Sequence, residues 1–170
     1  MLIEKDTISY KIEQLSQILT NLDWHITCAE SCTGGWVAKL FTDLAGSSSW
    51  FERGYVSYSN QSKQEMLGVS EQSLHEFGAV SEIVVKEMAV GACKKAKTEV
   101  SLAISGIAGP TGGSEDKPVG LVWFAWCING QVKTYSEVFA GERDAIRQQA
   151  VVAAIEKLLN YLNVLNSQVD

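Results

Sequence analysis

The sequence predicts an α/β protein: a three-layer α/β/α sandwich around a mixed, mostly parallel five-stranded sheet that contains one hairpin. Three observations carry this expectation. Short apolar strand-like runs alternate with amphipathic helical segments over the first 104 residues, the pattern of parallel β-strands joined by helices. Two longer β-like runs flank Asn129-Gly130, a turn signal that requires positive φ at both positions, so at least one strand pair is antiparallel. The 170 residues, 46% hydrophobic and 20% charged, suit one domain over 1–170 with ample material for a core.

Taken in order, Ile8, Ile12, Leu15, Ile18, Leu19 and Leu22 recur at three- and four-residue spacing and predict a first amphipathic helix. Residues 24–29 read as a short buried strand that ends in a polar, glycine-containing turn. A helix over about 35–44 follows, then Gly46-Ser47-Ser48-Ser49, a second strand over about 54–58 and a small helix over 60–67. Ser70 and Ser81 each precede a glutamate and an apolar periodic run, which marks both as N-caps. The longer of these helices carries Val84, Val85, Met88, Ala89, Ala92, Cys93 and Ala96, and it ends in Lys94, Lys95 and Lys97, which suit the negative pole of a helix. Residues 100–104 form a third strand leading into a glycine-rich loop over 105–113. The hairpin pairs 119–128 with 131–139, and Gly141-Glu142-Arg143-Asp144 opens a last helix.

Composition excludes several classes. The net charge of −6 disfavours nucleic acid as a partner, because a basic face supplies most of that affinity. The longest apolar stretch is ten residues, against roughly 20 for a membrane-spanning helix, and Met1 to Tyr10 hold Glu4, Lys5 and Asp6 without a long apolar core. A cytoplasmic protein with neither signal peptide nor membrane contact is the expectation. Cys28, Cys32, Cys93 and Cys127 sit among apolar or small residues and read as buried free thiols. His25 and His75 have no neighbours at metal-ligand spacing, so no metal and no other cofactor is expected.

Ligands of open α/β sheets bind beyond the carboxyl ends of the parallel strands. Three loops fall there: Glu30-Ser31-Cys32-Thr33-Gly34-Gly35, Ser59-Asn60-Gln61-Ser62-Lys63, and Ser105-Gly106-Ile107-Ala108-Gly109-Pro110-Thr111-Gly112-Gly113. The first is either a tight turn with a hydroxyl cap or an anion cradle at a helix N-terminus. The four glycines of the third suit a loop that wraps a ligand. Neither loop has the spacing of a P-loop or of a dinucleotide-binding fold, which removes support from triphosphate hydrolysis and hydride transfer. Hydroxyl nucleophiles are plentiful, but a serine needs a base, and neither histidine is placed to act as one. A lysine is the alternative. At its reference pKa only about one in 2,500 is neutral at pH 7, and half-neutrality there requires roughly 4.6 kcal/mol of disfavour for the charged form. Lys63, at a strand-to-helix junction among uncharged residues, is the lysine best placed for that shift; its other reading is a helix-surface residue.

Five strings then coincide: Ala29-Glu30-Ser31-Cys32-Thr33-Gly34-Gly35; Ala45-Gly46-Ser47-Ser48; Tyr58-Ser59-Asn60 with Lys63; Gly78-Ala79-Val80-Ser81; and Ser105-Gly106-Ile107-Ala108-Gly109-Pro110 with Gly112-Gly113. Together, from about Leu15 to Leu159, they resemble the CinA carboxy-terminal domain family in its stand-alone bacterial form, the nicotinamide-nucleotide amidohydrolases or NMN deamidases. The resemblance implies hydrolysis of the carboxamide of nicotinamide mononucleotide to nicotinate mononucleotide and ammonia by a Ser/Lys dyad. Carried onto this chain, it places the nucleophile in the 46–49 loop, at Ser48, with Lys63 as base and with Tyr58 and Ser31 orienting the dyad or holding the oxyanion. Thr33, Gly34, Gly35, Ser105, Gly106, Gly109, Gly112 and Gly113 would line the nucleotide pocket. Arg143 would hold the phosphate as a bidentate donor, or else form a surface ion pair. Longer members carry an additional amino-terminal domain, which is expected to be absent here.

One geometric problem accompanies this assignment. Ser48 precedes the second strand and Lys63 follows it, and a strand of that length separates its ends by about 17–20 Å. The two meet only if the serine loop folds back or comes from a second subunit, so a homo-oligomer, with a dimer favoured, is expected. Otherwise Ser31 or Ser105, at the ends of the other parallel strands, takes the role. The competing functional expectations are a catalytically silent nucleotide-binding module and a competence- or damage-related interaction protein.

Overall fold

Apolar residues at alternate strand positions divide the core into two halves, one on each side of the sheet. The computed structural model describes residues 5–167; the reading of the first ten residues therefore falls partly on 1–4, outside the described residues. Helix α1 (Lys5–Leu22) is followed by β1 (Ile26–Glu30), α2 (Trp36–Asp43), a 3-10 turn (Ser47–Ser49) and β2 (Phe51–Val56). Then come α3 (Asn60–Leu67), α4 (Glu71–Phe77), α5 (Glu82–Ala96), β3 (Val100–Gly106), β4 (Leu121–Ile128), β5 (Gln131–Val138) and α6 (Arg143–Asn166). The sheet order is β2-β1-β3-β4-β5, with β1 parallel to β2 and β3, and β4 antiparallel to both its neighbours. Only β4 runs against the other four strands, so the mixed, mostly parallel five-stranded sheet is the one expected.

Ile26 and Cys28 of β1, Val100, Leu102 and Ile104 of β3, and Val122, Phe124 and Trp126 of β4 face one layer, made by α1, α2 and α6. Ala29, Ala103 and Ala125 face the other, where α5 packs with the ends of α3 and α4. These three alanines are register partners across β1, β3 and β4, and the small row they form admits α5 closely. Close approach continues at Gly91 of α5, where an added Cβ would lie 1.8 Å from the Leu67 carbonyl oxygen at the end of α3. The hairpin turn has φ of 48° at Asn129 and 82° at Gly130, as its sequence requires. Ser70 and Ser81 cap α4 and α5, accepting from the amides of Ser73 and Val84. All four cysteines are free thiols; Cys93 is partly exposed, whereas the other three are buried as expected.

The element boundaries differ from the sequence reading in two places that matter. Strand β2 runs over Phe51–Val56 rather than 54–58, because Trp50 and Phe51 are drawn in by edge contacts to Phe41 of α2, while Ser57 and Tyr58 leave the sheet. Strand β3 extends through Ser105 and Gly106, which pair with Trp123 and Val122 of β4 instead of belonging to the loop. The parallel strands β1, β2 and β3 end on one edge, with Glu30 level with Val56 and with Ile104. Beyond that edge lie the turn 31–35, the link 57–59 and the loop 107–113. Among the described residues no helix is long and apolar enough to cross a membrane.

Candidate active site

Lys63 lies in the first turn of α3, whose N-terminus is fixed by a reciprocal pair: the Ser59 hydroxyl accepts from the Ser62 amide, and the Ser62 hydroxyl accepts from the Ser59 amide. The side chain runs inward rather than over the surface and is 1% exposed. Its Nζ donates to Ser31 Oγ at 2.9 Å, to the Ser57 carbonyl at 2.7 Å and, at the outer limit, to the Tyr58 carbonyl at 3.5 Å. Burial lowers the Lys63 pKa from 10.5 to about 8. That is less than half-neutrality at pH 7 demands, yet about one molecule in ten is then neutral at pH 7. A neutral amine has two N–H groups and one lone pair. With the two carbonyls taking the N–H groups, the lone pair faces the Ser31 hydroxyl.

Ser31 is the first residue beyond β1, level with Ser57 because the Ser57 amide donates to the Glu30 carbonyl. The 31–35 turn is held by Glu30, a carboxylate 1% exposed that accepts from the amides of Gly35, Val37 and Ala38 at 3.2, 3.2 and 2.9 Å. A negative charge at the start of α2 is favoured by the helix dipole and by these donors. Cys32, the neighbouring potential nucleophile, has its thiol pushed up to about 11 by burial, which keeps it protonated near neutrality.

Ser48 is placed elsewhere. It is exposed on the 3-10 turn that enters β2, whereas Lys63 follows the opposite end of that strand. Within one chain the structure pairs Lys63 with Ser31: the length of β2 separates Ser48 from Lys63, and the parallel pairing of β2 with β1 puts the Lys63 end beside Ser31. No second subunit is required to complete this serine–lysine contact. Ser105, 1% exposed, spends its hydroxyl on the Ala79 carbonyl at 2.8 Å. Tyr58 touches Lys63 through its carbonyl, while its 63% exposed side chain reaches outward and its hydroxyl accepts from Arg143 Nη2 at 3.1 Å.

Ser31, Lys63 and Ser105 line a cavity of ≈ 270 Å³ together with Gly106, Gly109, Gly112 and Arg143. Thr33, Gly34, Gly35 and Gly113, named from sequence as pocket residues, are not part of its lining. The glycines of the third loop also have a packing role. A Cβ at Gly109 would meet Val119 Cγ1 at 2.5 Å, and one at Gly113 would meet the Val119 amide nitrogen at 2.7 Å. Arg143, at the N-terminus of α6, donates Nη1 to the Gly109 carbonyl at 2.8 Å; among the described residues it forms no ion pair. A larger open cleft of ≈ 700 Å³ adjoins the cavity and shares Ala108 and Arg143 with it, adding Arg147 and the start of α6.

Three participants escaped the sequence reading. Glu30 was quoted only as part of a motif, although an acidic residue directly before a helix-opening turn is a capping signal. Ser57 supplies a carbonyl to Lys63, and its fully buried hydroxyl has no partner among the described residues. Arg147 binds main-chain carbonyls, which leave no mark in a side-chain motif. Among the described residues no group of acidic, histidine or cysteine side chains is arranged to hold a metal ion.

A family model described as the CinA C-terminal domain matches residues 9–162. Over 147 residues the chain is 56% identical to the nicotinamide-nucleotide amidohydrolase PncC of Escherichia coli (strain K12), covering 86% of this chain and 89% of that protein. Over 154 residues it is 45% identical to the PncC of Pseudomonas putida, covering 91% and 96%. The fold matches the crystal structure of a competence-damaged protein (CinA) superfamily protein from Escherichia coli with a TM-score of 0.88 and 42% identity, over 94% of this chain and 92% of the other. With the motif loops gathered at one sheet edge and the likeness running from α1 to α6 in both sequence and fold, the chain belongs to the CinA C-terminal domain family.

Proposed function

We propose that the protein is an amidohydrolase that cleaves the carboxamide of nicotinamide mononucleotide to nicotinate mononucleotide and ammonia, with Ser31 as nucleophile and Lys63 as its base. The observation that carries this reading is the 2.9 Å contact between Ser31 Oγ and a buried Lys63 whose pKa is lowered to about 8. The substrate is the one for which the PncC relatives, nicotinamide-nucleotide amidohydrolases, are named. In the first half-reaction the neutral amine takes the Ser31 proton as Oγ attacks the carboxamide carbon. The tetrahedral intermediate collapses when Lys63 returns that proton to the departing nitrogen, which leaves as ammonia. In the second half, Lys63 takes a proton from water, the resulting hydroxide attacks the acyl-serine, and Ser31 Oγ leaves with the proton. Every proton transfer is carried by one lysine.

The cavity and cleft divide the substrate between them in this reading. The pyridine carboxamide enters the smaller cavity at Ser31, and the phosphoribosyl end extends past Arg143 into the larger cleft. Among the described residues Arg143 has no carboxylate partner, and it stands at a helix N-terminus, both suited to a phosphate. Its present acceptors, the Gly109 carbonyl and the Tyr58 hydroxyl, close a ring around the mouth that an incoming anion would compete for. The reaction would serve recycling of pyridine nucleotides. Ammonia release from nicotinamide mononucleotide by the purified protein tests the proposal; saturable binding of the nucleotide without turnover would instead identify a silent binding module.

A further inference from the structure

Arg147, one turn into α6 from Arg143, has each of its three guanidinium nitrogens engaged with the protein. Its Nε donates to the Cys32 carbonyl at 2.9 Å and its Nη2 to the Thr33 carbonyl at 3.2 Å, while Nη1 meets Asp144 at 3.3 Å. The guanidinium carbon lies 5.3 Å from the centre of the Trp36 ring, at the start of α2. An arginine so occupied is poorly disposed to bind substrate. It grips the two residues that follow Ser31, across more than 110 positions of sequence.

That grip has a catalytic consequence, because the turn after Ser31 is held from two directions. Glu30 accepts from the amides of Gly35, Val37 and Ala38, and Arg147 donates to the carbonyls of Cys32 and Thr33. Cys32, the residue next to Ser31, lines the cavity beside it. Proton transfer needs the Ser31 hydroxyl within hydrogen-bond reach of Lys63, 2.9 Å here, so a turn released by about 1 Å would lose much of the rate.

We propose that Arg147 is a positioning residue that clamps the turn after Ser31 from α6 and so holds the Ser31 hydroxyl against Lys63. It acts oppositely to Glu30, which holds the same turn through its amides. The inference rests on the reading of Ser31 as nucleophile and adds a division of labour between the arginines: Arg143 governs affinity for the phosphate, and Arg147 governs turnover.

The test compares wild type with Arg147→Gln, Arg147→Lys and Arg147→Ala in two readouts. In ammonia release from nicotinamide mononucleotide, Arg147→Gln lowers kcat by about 10²-fold, the cost of misplacing a reacting group by about 1 Å, with KM unchanged. Arg147→Lys, which keeps charge but cannot hold two carbonyls at once, falls between. Guanidinium ion at millimolar concentration restores part of the Arg147→Ala activity, which a merely unfolded variant would not show. The second readout is the rate at which a fluorophosphonate probe labels Ser31, followed by intact mass, because that reaction needs the same positioned and activated serine and no nucleotide. Slower labelling in Arg147→Gln supports the clamp even if wild type releases no ammonia, an outcome that would reject the substrate reading alone. Equal labelling in wild type and variant, including none in either, overturns the clamp, as does a rise in KM with kcat unchanged.

Discussion

Lys63 owes its chemistry to the place where its ammonium ends. A lysine on an exposed helix start would stay protonated and could not take a proton from a serine; buried against Ser57 and Ser31 it is held at about 8. Proposed as the base, it makes kcat for ammonia release rise with pH along a limb of apparent pKa near 8, a value read from the pH–rate profile. The same shift has a stability signature. Because the folded-state pKa lies below the unfolded value, the unfolded chain binds the extra proton between about 8 and 10.4, so stability climbs with pH across that window. Below it the cost of burying the charged amine is fully present. Urea unfolding at successive pH values should show this climb in wild type and lose it in Lys63→Met. Arg143→Ala, by contrast, should raise KM by about tenfold or more with little change in kcat, as the loss of a charge-assisted phosphate contact requires.

At the level of elements, the base depends on how closely α3 and α5 approach. Gly91 lets the end of α3 rest against α5, and a methyl group there would strike the Leu67 carbonyl at 1.8 Å. Gly91→Ala is therefore expected to destabilise by about 1–3 kcal/mol and to lower kcat, since the shift moves the helix that carries Lys63; thermal unfolding and ammonia release check the two effects. Sequence legibility also divides along elements. The hairpin turn and the caps at Ser70 and Ser81 were readable because each is a local signal carried by neighbouring residues. The limits of β2 were not, since Trp50 and Phe51 are placed by Phe41 from another element. Lys63 is legible from its strand-to-helix position, but Ser31 only as a supporting residue and as an alternative to Ser48, because the Glu30–Val56 register that brings Ser57 and Lys63 beside Ser31 is a tertiary fact. The resemblance points to Ser48, which precedes β2 and so lies at the far end of that strand from Lys63. Arg147 left no signal, its partners being carbonyls of Cys32 and Thr33.

Across the whole molecule, three parallel strands bring three loops to one edge, and α6 returns from the far end of the chain to close over them. The first helix braces that return: it packs on α6, and Lys11 pairs with Glu156 across the two. An acidic chain of net charge −6 thus presents a local cation, Arg143, at the mouth of a hydroxyl- and glycine-lined cavity. Such a local charge suits a small anion in spite of the global one. Ser31, not Ser48, is proposed as the nucleophile of this site. Ammonia release from nicotinamide mononucleotide, measured side by side for Ser31→Ala and Ser48→Ala, decides between the two serines. Ser31→Ala should lose more than about 10⁴-fold in kcat, and Ser48→Ala should turn over at near the wild-type rate. Retained activity in Ser31→Ala with loss in Ser48→Ala would contradict this assignment.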